Sequence, residues 1–199
     1  MSMGKQSKTL TKPQIEMVSS YLRSKRNGLR NETIFLLSVK SGLRSKEISQ
    51  LSWKEILNSD GEVGDVIHLT NQSSKGNSGR MIPLNKDVKK NLIEMLEIDR
   101  KRHSFDPNNS FVIHTERSPS TTSQTIVNMF QNWYRQLGLI GCSSHSGRRT
   151  FITETSKKIS LVGGSLRDIQ MMVGHKSLQT TQRYIEGDTD SQKKVVNLL

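Results

Sequence analysis

The chain has 199 residues, of which 30 are Lys or Arg and 18 are Asp or Glu, so its formal net charge is +12 at pH 7. A single cysteine excludes a disulfide framework, and the sequence contains neither a signal-peptide core nor an apolar run of about 18 residues that could span a membrane. These features predict one basic domain in the cytoplasm, and a polyanion is the first partner to test.

The first part of the chain is predicted to be helical. Residues 1–10 form a basic, polar lead that we expect to be flexible. Thr11 carries the spacing of a capping box and so begins the first helix. After a basic loop, a mostly apolar second helix is expected from about Glu32 to Lys40, with Gly42 as its stop. Ser45 can cap a short third helix.

The middle of the chain changes to strand-like patterns. Residues 66–69 and 80–84 are short apolar runs of this kind, and the segment 73–79 between them is Gly- and Ser-rich turn material. The pattern predicts a β-hairpin with a basic tip. Asn85 then has the position of a capping residue for another helix.

The last third returns to helical spacing. Apolar residues from Ile126 to Leu137 recur at i, i+3, i+4, i+7, i+8 and i+11, which predicts an amphipathic helix. Ser144 and Ser165 can each cap a further helix, and a last short helix is expected to hold Tyr184. With no internal repeat, the predicted fold class is mainly α with a small antiparallel sheet (α+β).

Several common active-site motifs are absent from the sequence. It contains no P-loop, no G-x-G-x-x-G, no paired-cysteine zinc motif and no H-E-x-x-H. The five histidines never group at the spacing of metal ligands. We therefore expect no cofactor and no metal, and any chemistry on a polyanion would depend on Arg, Lys, His and a side-chain nucleophile.

Such side chains stand at suggestive positions. His145 and Arg148 are three residues apart at the predicted start of a helix, where backbone N–H groups attract anions. Taken alone, each candidate also has a plain structural interpretation as a surface charge, a turn residue, a capping group or a half-buried tyrosine. The candidates are Arg44, Lys75, His145, Arg148, His175 and Tyr184.

Four segments that contain these residues resemble, in order, the catalytic domain of the tyrosine recombinases, the phage integrase family. They are S-G-L-R-S-K-E-I-S-Q-L-S-W at 41–53, K-G-N-S-G-R-M-I-P-L at 75–84, H-S-G-R-R-T-F at 145–151 and G-H-K-S-L-Q-T-T-Q-R-Y at 174–184. The spacing from His175 to Tyr184 matches the family's. The likeness predicts a tyrosine recombinase catalytic-domain fold over residues 11–188, followed by a C-terminal tail at 189–199.

The resemblance implies phosphoryl transfer from a DNA phosphodiester to Tyr184, with a 3′-phosphotyrosyl link and a free 5′-hydroxyl as products. Because that link keeps the bond energy, neither ATP nor a metal would be needed. Arg44 and Arg148 would clamp the non-bridging oxygens. The other implied roles are Lys75 as general acid, His145 as general base, His175 as a donor to the phosphate, and Glu47 as a supporting residue bonded to His145 or Arg44.

The implied partner is double-stranded DNA with a specific recombination site. Family members assemble as tetramers on paired sites, so we expect a homo-tetramer on DNA, with a monomer possible in solution and an accessory DNA-bending protein as a further partner. The tail would dock on a neighbouring protomer, or else on its own domain. The expected phosphate contacts, which could equally form a solvated basic face, are Lys40, Lys46, Lys54, Arg80, Arg149 and Lys176.

Two departures from the family pattern qualify this interpretation. Gly147 stands where the family more often has Leu, which we expect to alter packing rather than chemistry. Only a short lead precedes Thr11, where most members carry an N-terminal DNA-binding domain, so the chain is similar to single-domain members such as the fimbrial-switch invertases. A type IB-like topoisomerase and a non-catalytic DNA-binding regulator stay open as alternatives, as does the choice between integration, excision and inversion.

Overall fold

The computed structural model describes residues 7–71, 79–116, 118–184 and 196–197. Within these ranges the chain forms helices joined by loops of varied length, with one antiparallel pair of strands between the third and fourth helix. The elements are α1 (Lys12–Arg23), α2 (Gly28–Ser41), α3 (Ser45–Gln50), β1 (Val66–Leu69), β2 (Arg80–Pro83), α4 (Lys86–Arg100), α5 (Ser123–Gln136), α6 (Ser146–Lys158), α7 (Leu166–Val173) and α8 (Leu178–Gln182). The mainly helical fold class is confirmed.

The helix α1 begins where the capping box predicts it. The Thr11 side chain accepts a hydrogen bond from the backbone N–H of Gln14, and the Gln14 side chain accepts one from the backbone N–H of Thr11. These bonds satisfy two of the N–H groups that a helix leaves without an internal partner. The local sequence thus fixes this boundary.

The residues just before α1 are tied to the domain, which corrects the expectation of a flexible lead for this part. Leu10 is 4% exposed, and its N–H donates to the Thr150 hydroxyl over 2.8 Å. The N–H of Lys8 donates to the carbonyl of Gly141. Residues 7–10 therefore pack against the start of α6, while residues 1–6 lie outside the described ranges.

The helix α2 is the centre of the main core and begins earlier than expected, at Gly28 rather than near Glu32. Asn27 takes a left-handed conformation with φ of 58°, and a Cβ at Gly28 would lie 2.2 Å from the carbonyl oxygen of Arg23. This tight turn leaves only four residues between α1 and α2, within the segment where a basic loop was predicted. Side chains on most sides of α2 are buried, and it packs against α1, α4 and α6.

The predicted hairpin is present as a two-stranded antiparallel sheet. Val66 pairs with Pro83 and Leu69 with Arg80. The inward-facing residues Ile67, Leu69 and Ile82 join the main core. The tip, which includes Lys75, lies outside the described residues.

The C-terminal helices form a second, smaller apolar cluster. Ile152 of α6 packs with Ile169 and Val173 of α7, and Phe151 and Tyr184 cover this group. Two predicted boundaries were wrong: α6 begins at Ser146, because His145 rather than Ser144 is its capping residue, and α8 ends at Gln182, so that Tyr184 follows it. The candidate site lies between this cluster and the main core. Among the helices of the described ranges, none combines the length and the apolar composition that a membrane span requires.

Candidate active site

A cleft of about 430 Å³ brings together residues that are far apart in the sequence. Five of the six predicted catalytic residues line it, and Lys75 lies outside the described residues. The cleft also includes side chains that the sequence did not single out for catalysis. Its lining residues are Ser7, Arg44, His145, Arg148, Arg149, His175, Thr180, Arg183 and Tyr184.

Arg148 lies at the junction of three helices. It belongs to the first turn of α6, is 4% exposed, and donates hydrogen bonds to the carbonyls of Gly42 (2.6 Å) and Val173 (2.7 Å). These carbonyls stand at the ends of α2 and α7, where the helix dipole favours a cation. A guanidinium has five N–H donors, so Arg148 is fixed in place and keeps donors for a further acceptor.

The two helix ends that hold Arg148 both finish in glycine. Gly42 and Gly174 have φ of 68° and 64°, a left-handed conformation that favours glycine. At Gly42, a Cβ would also lie 2.6 Å from the Phe151 ring. The chain can therefore turn sharply at both points and present the carbonyls of Gly42 and Val173 to Arg148.

Arg44 and Arg80 share one carboxylate. Glu47 is fully buried and accepts from an Nη of Arg44 at 2.9 Å and from both Nη atoms of Arg80 at 3.0 Å. The same carboxylate accepts from the backbone N–H of Arg44 at the start of α3. Glu47 thus supports Arg44 as expected, and the partner that the sequence did not reveal is Arg80.

The assignment of Arg80 to DNA phosphate contacts was wrong. Its side chain is 5% exposed, and its Nε donates to the carbonyl of Met172 over 2.7 Å. With both Nη atoms on Glu47, the guanidinium faces the protein interior rather than solvent. Arg80 therefore joins β2 to α3 and to the end of α7.

The charges of the cleft shift the pKa values of its members. Burial, followed by the positive charge of Arg44, lowers the pKa of Arg148 to about 9, which still leaves it charged at pH 7. Burial opposes ionisation of Glu47, but the hydrogen bonds and charge of Arg80 outweigh it and hold the pKa of Glu47 below its usual value. The cluster of Arg44, Arg80, Arg148 and Glu47 is therefore net positive and suited to an anion.

His175 and Tyr184 lie side by side in the cleft. Their rings are stacked, with centroids 5.6 Å apart and planes 22° from parallel. Burial, and then the charges of Arg148, Arg44 and Arg80, lower the pKa of His175 to about 4, so its ring is neutral at pH 7. The Thr153 hydroxyl donates to the carbonyl of Tyr184, which ties this residue to α6.

His145 occupies the N-terminal end of α6 and is exposed. Its backbone N–H donates to the Ser143 hydroxyl, which in turn contacts the Ser7 hydroxyl at 2.7 Å. Of the two alternatives for Glu47, a bond to His145 or one to Arg44, the structure has the bond to Arg44, and Arg80 shares the same carboxylate. His145 is thus both exposed and part of the cleft lining.

The other expected DNA contacts differ in their surroundings. Lys46, Lys54 and Lys176 are exposed. Lys40 is half-buried, with its Nζ 3.8 Å from a carboxylate oxygen of Asp87, and Arg149 lines the cleft itself. Three of the six thus have the free surface position that a phosphate contact needs.

The sequence missed the parts that Ser7, Arg80 and Thr181 play around the site. Ser7 belongs to the basic lead, and Thr181 is one position of the fourth motif, at 174–184. Thr181 is fully buried, and its hydroxyl lies 3.0 Å from Nδ1 of His175. Its six-residue spacing from His175 across a helix start was the only sequence signal for this contact.

Comparison with known proteins agrees with the geometry of the cleft. The model of the phage integrase family matches residues 8–190. Tyrosine recombinase XerC of Chlamydia pneumoniae is 34% identical over 133 residues, which cover 64% of this chain and 39% of that protein. Tyrosine recombinase XerC of Herpetosiphon aurantiacus is 29% identical over 136 residues, covering 67% of this chain and 43% of the relative. The chain thus spans roughly two fifths of these relatives.

Solved structures share the fold at low sequence identity. The Tn1549 transposon integrase in complex with a circular intermediate DNA superposes with a TM-score of 0.76 at 18% identity, over 99% of this chain and 67% of that chain. The XerH site-specific recombinase bound to a palindromic difH substrate, in a post-cleavage complex, gives a TM-score of 0.73 at 21% identity, over 98% of this chain and 53% of that chain. The fold of the described residues is that of a tyrosine recombinase catalytic domain.

Proposed function

We propose that this chain, which belongs to the phage integrase family, is the catalytic part of a site-specific recombinase that cleaves and rejoins DNA through Tyr184. The observation that carries the proposal is the shared cleft of Tyr184, Arg44, Arg148 and His175. A nucleophile beside two arginines and a neutral imidazole fits attack on a phosphodiester. The curated relatives are named tyrosine recombinases, which supports a tyrosine as the nucleophile.

Arg44 and Arg148 are the proposed clamp on the two non-bridging oxygens of the scissile phosphate. Their planar forks match a phosphate better than an ammonium group would. Arg148 is immobilised by Gly42 and Val173, so its orientation is set before DNA binds. Donors that are fixed in advance stabilise the charge of the transition state without reorganising.

Proton transfer at the two ends of the reaction is the second requirement. The Tyr184 hydroxyl, with an ordinary pKa of about 10, must lose its proton, and the leaving 5′-oxygen must gain one. We assign the first step to His145, which is exposed at the rim of the cleft, and the second to Lys75, which lies outside the described residues. The product is a 3′-phosphotyrosyl link, which the 5′-hydroxyl of a second strand attacks to rejoin the DNA.

The DNA duplex is the proposed partner, held over this face by basic side chains. Lys46, Lys54 and Lys176 are exposed, and Arg149 lines the cleft. We further propose a homo-tetramer on paired sites in the cytoplasm, with an accessory DNA-bending protein and with the tail 189–199 exchanged between protomers. Deleting residues 195–199 tests the exchange, because loss of synapsis without loss of DNA binding is expected if the tail docks in trans.

The direct test is replacement of the nucleophile. On a nicked duplex that carries the protein's own binding site, taken from the DNA flanking its gene, the wild type is expected to form a covalent protein–DNA adduct. Tyr184→Phe removes only the hydroxyl, so we expect no detectable adduct and a DNA dissociation constant within about 3-fold of wild type. Denaturing gels report the adduct, and gel shifts report the binding.

Tyr21 provides the matched control, because its hydroxyl bonds Gln136 and neither residue lines the cleft. Tyr21→Phe is expected to form the adduct at the wild-type rate. Adduct formation by Tyr184→Phe, or loss of DNA binding together with cleavage, would contradict the assignment. If the protein relaxes a supercoiled plasmid but exchanges no strands between two duplexes, its function is that of a topoisomerase rather than a recombinase.

A further inference from the structure

A buried threonine contacts the histidine of the cleft from behind. Thr181 lies in α8, is fully buried, and places its Oγ1 3.0 Å from Nδ1 of His175. The backbone of His175 is held independently: its N–H donates to the carbonyl of Gln170, and its carbonyl accepts from Nε2 of Gln170 over 2.9 Å. The contact between Thr181 and the ring is therefore a fixed feature of this fold.

The ring of His175 carries one proton at neutral pH. Burial and the positive charges of Arg148, Arg44 and Arg80 lower its pKa to about 4, which removes the second proton. A neutral imidazole has one N–H donor and one bare nitrogen that accepts. The bond made at Nδ1 therefore decides the character of Nε2.

The hydrogen-bonding needs of Thr181 determine the direction of this bond. Among the described residues, Nδ1 of His175 is the sole hydrogen-bond partner of the Thr181 hydroxyl. A buried hydroxyl that accepts from an Nδ1–H would leave its own hydrogen without an acceptor, and a buried donor without a partner is destabilising. Donation from Oγ1 to a bare Nδ1 leaves only an oxygen lone pair unused, which costs less.

We propose that Thr181 is a positioning residue whose hydroxyl donates to Nδ1 of His175 and thereby keeps the proton of this ring on Nε2. His175 then presents an N–H donor to the cleft, alongside the guanidinium groups of Arg44 and Arg148. With the opposite tautomer, a bare Nε2 would face the anion and repel it. The assignment of the tautomer does not depend on the proposed function, whereas the role of the Nε2–H as a donor to a scissile phosphate rests on it.

The ring of His175 stacks on that of Tyr184, so the orientation of His175 also affects the position of the proposed nucleophile. The two ring centroids are 5.6 Å apart, and the planes are 22° from parallel. A rotation of the imidazole about its bond to Cβ would move Nε2 away from the cleft and disturb this stack. The Thr181 bond opposes such a rotation, because Nδ1 lies off the rotation axis and would move away from Oγ1 of Thr181.

The tautomer can be measured without any DNA. The protein is labelled with ¹⁵N at its five histidines, and long-range ¹H–¹⁵N correlation spectra are recorded at pH 7, with His175→Gln identifying the resonances of this ring. We expect a pattern in which Nε2 is protonated and Nδ1 is a hydrogen-bonded acceptor. A proton on Nδ1, or an averaged mixture of the two tautomers, would overturn the proposal.

Two substitutions at position 181 separate the hydroxyl from the packing. Thr181→Ser keeps the hydroxyl and is expected to leave the Nδ1 chemical shift of His175 unchanged. Thr181→Val keeps the shape and is expected to move that shift toward an unbonded, acceptor-type nitrogen. If Thr181→Val leaves the shift unchanged, the bond does not exist in solution, and if it fails to fold, the wild-type and Thr181→Ser spectra still decide the tautomer.

The adduct assay then tests the link to catalysis. We expect Thr181→Val to slow adduct formation by about 3- to 10-fold, the effect of one hydrogen bond, and Thr181→Ser to stay within about 2-fold of wild type. A wild-type rate in Thr181→Val would overturn the positioning role. If the wild type forms no adduct while the spectra give the Nε2–H tautomer, the proposed function fails and the structural assignment holds.

Discussion

Glu47 accepts hydrogen bonds from two arginines, so its single negative charge neutralises only one of their two positive charges. A lone Arg44–Glu47 pair would be neutral, whereas the cluster with Arg80 keeps one net positive charge. Arg148 adds a second positive charge beside it. Buried carboxylates are costly without partners, so Arg80 both stabilises Glu47 and leaves the charge of Arg44 available to an anion.

Arg80→Met leaves the buried carboxylate with one arginine instead of two. Removing one partner of a buried pair costs about 3–5 kcal/mol, and we expect a loss near the lower end because Arg44 still contacts Glu47. Urea unfolding at pH 7 measures the change. Arg100→Met is the control, because its bond to Glu62 joins two exposed side chains and is worth no more than about 1 kcal/mol.

The same comparison has a predicted pH dependence. Burial opposes ionisation of Glu47 in the folded protein, but the hydrogen bonds and charges of the two arginines outweigh it and hold the pKa of Glu47 below its ordinary value of 4.5. Its ionisation therefore stabilises the fold above that value, and this contribution is lost as the pH falls through the lower pKa of the folded state. The stability gap between wild type and Arg80→Met should therefore shrink on acidification from pH 6 to pH 3. A gap that stays constant or widens would contradict the role assigned to Arg80.

Single residues of the site were predictable where a motif carried them. Arg44, His145, Arg148, His175 and Tyr184 were identified from sequence, and all of them line one cleft. The sequence failed at Arg80, because its partners Glu47 and the carbonyl of Met172 are 33 and 92 positions away. The position of Arg80 beside a motif suggested a DNA contact, and only the tertiary structure reveals that its side chain is buried.

At the scale of elements, the packing of α6 on α2 sets the position of Arg148. Gly147 allows this close approach, since a Cβ there would lie 2.4 Å from Oγ and 2.9 Å from Cβ of Ser38. The departure from the family's usual leucine thus corresponds to a tight helix crossing. Any separation of these helices would move Arg148 away from the carbonyl of Gly42.

A double-mutant cycle tests this crossing. Gly147→Ala should destabilise the protein by about 1–3 kcal/mol through overpacking, and Ser38→Gly by about 1 kcal/mol through helix propensity. In the double variant, the new methyl group occupies the space of the lost Ser38 side chain, so the loss should be smaller than the sum by at least about 0.5 kcal/mol. Strictly additive free energies of unfolding would show that the two residues do not clash.

Elements were predictable where their boundaries were encoded locally. The capping residues of α1, α4 and α7 were read from the sequence and lie where expected. The start of α2 was missed because a left-handed Asn27 replaces the expected loop. The end of α8 was missed because Tyr184 packs on the apolar cluster from a turn rather than from within the helix.

Over the whole molecule, the formal charge of +12 divides into two groups. Arg44, Arg80 and Arg148 lie within or behind the cleft, where Glu47 balances only part of their charge. Exposed lysines such as Lys46 and Lys176 contribute to the surface instead. The fold thus concentrates positive charge in one cleft, and the remaining excess lies on the surface, where positive charge would favour a polyanion.

The central claim is that Tyr184 forms a covalent bond with DNA, and peptide mapping of the wild-type adduct tests it most directly. Trypsin cleaves after Arg183, so the modified peptide should span residues 184–193. After nuclease digestion, fragmentation spectra are expected to place a nucleotide on the Tyr184 oxygen through its 3′-phosphate, with a free 5′-hydroxyl on the released strand. A nucleotide on any other residue, or a 5′-phosphate linkage, would contradict the account.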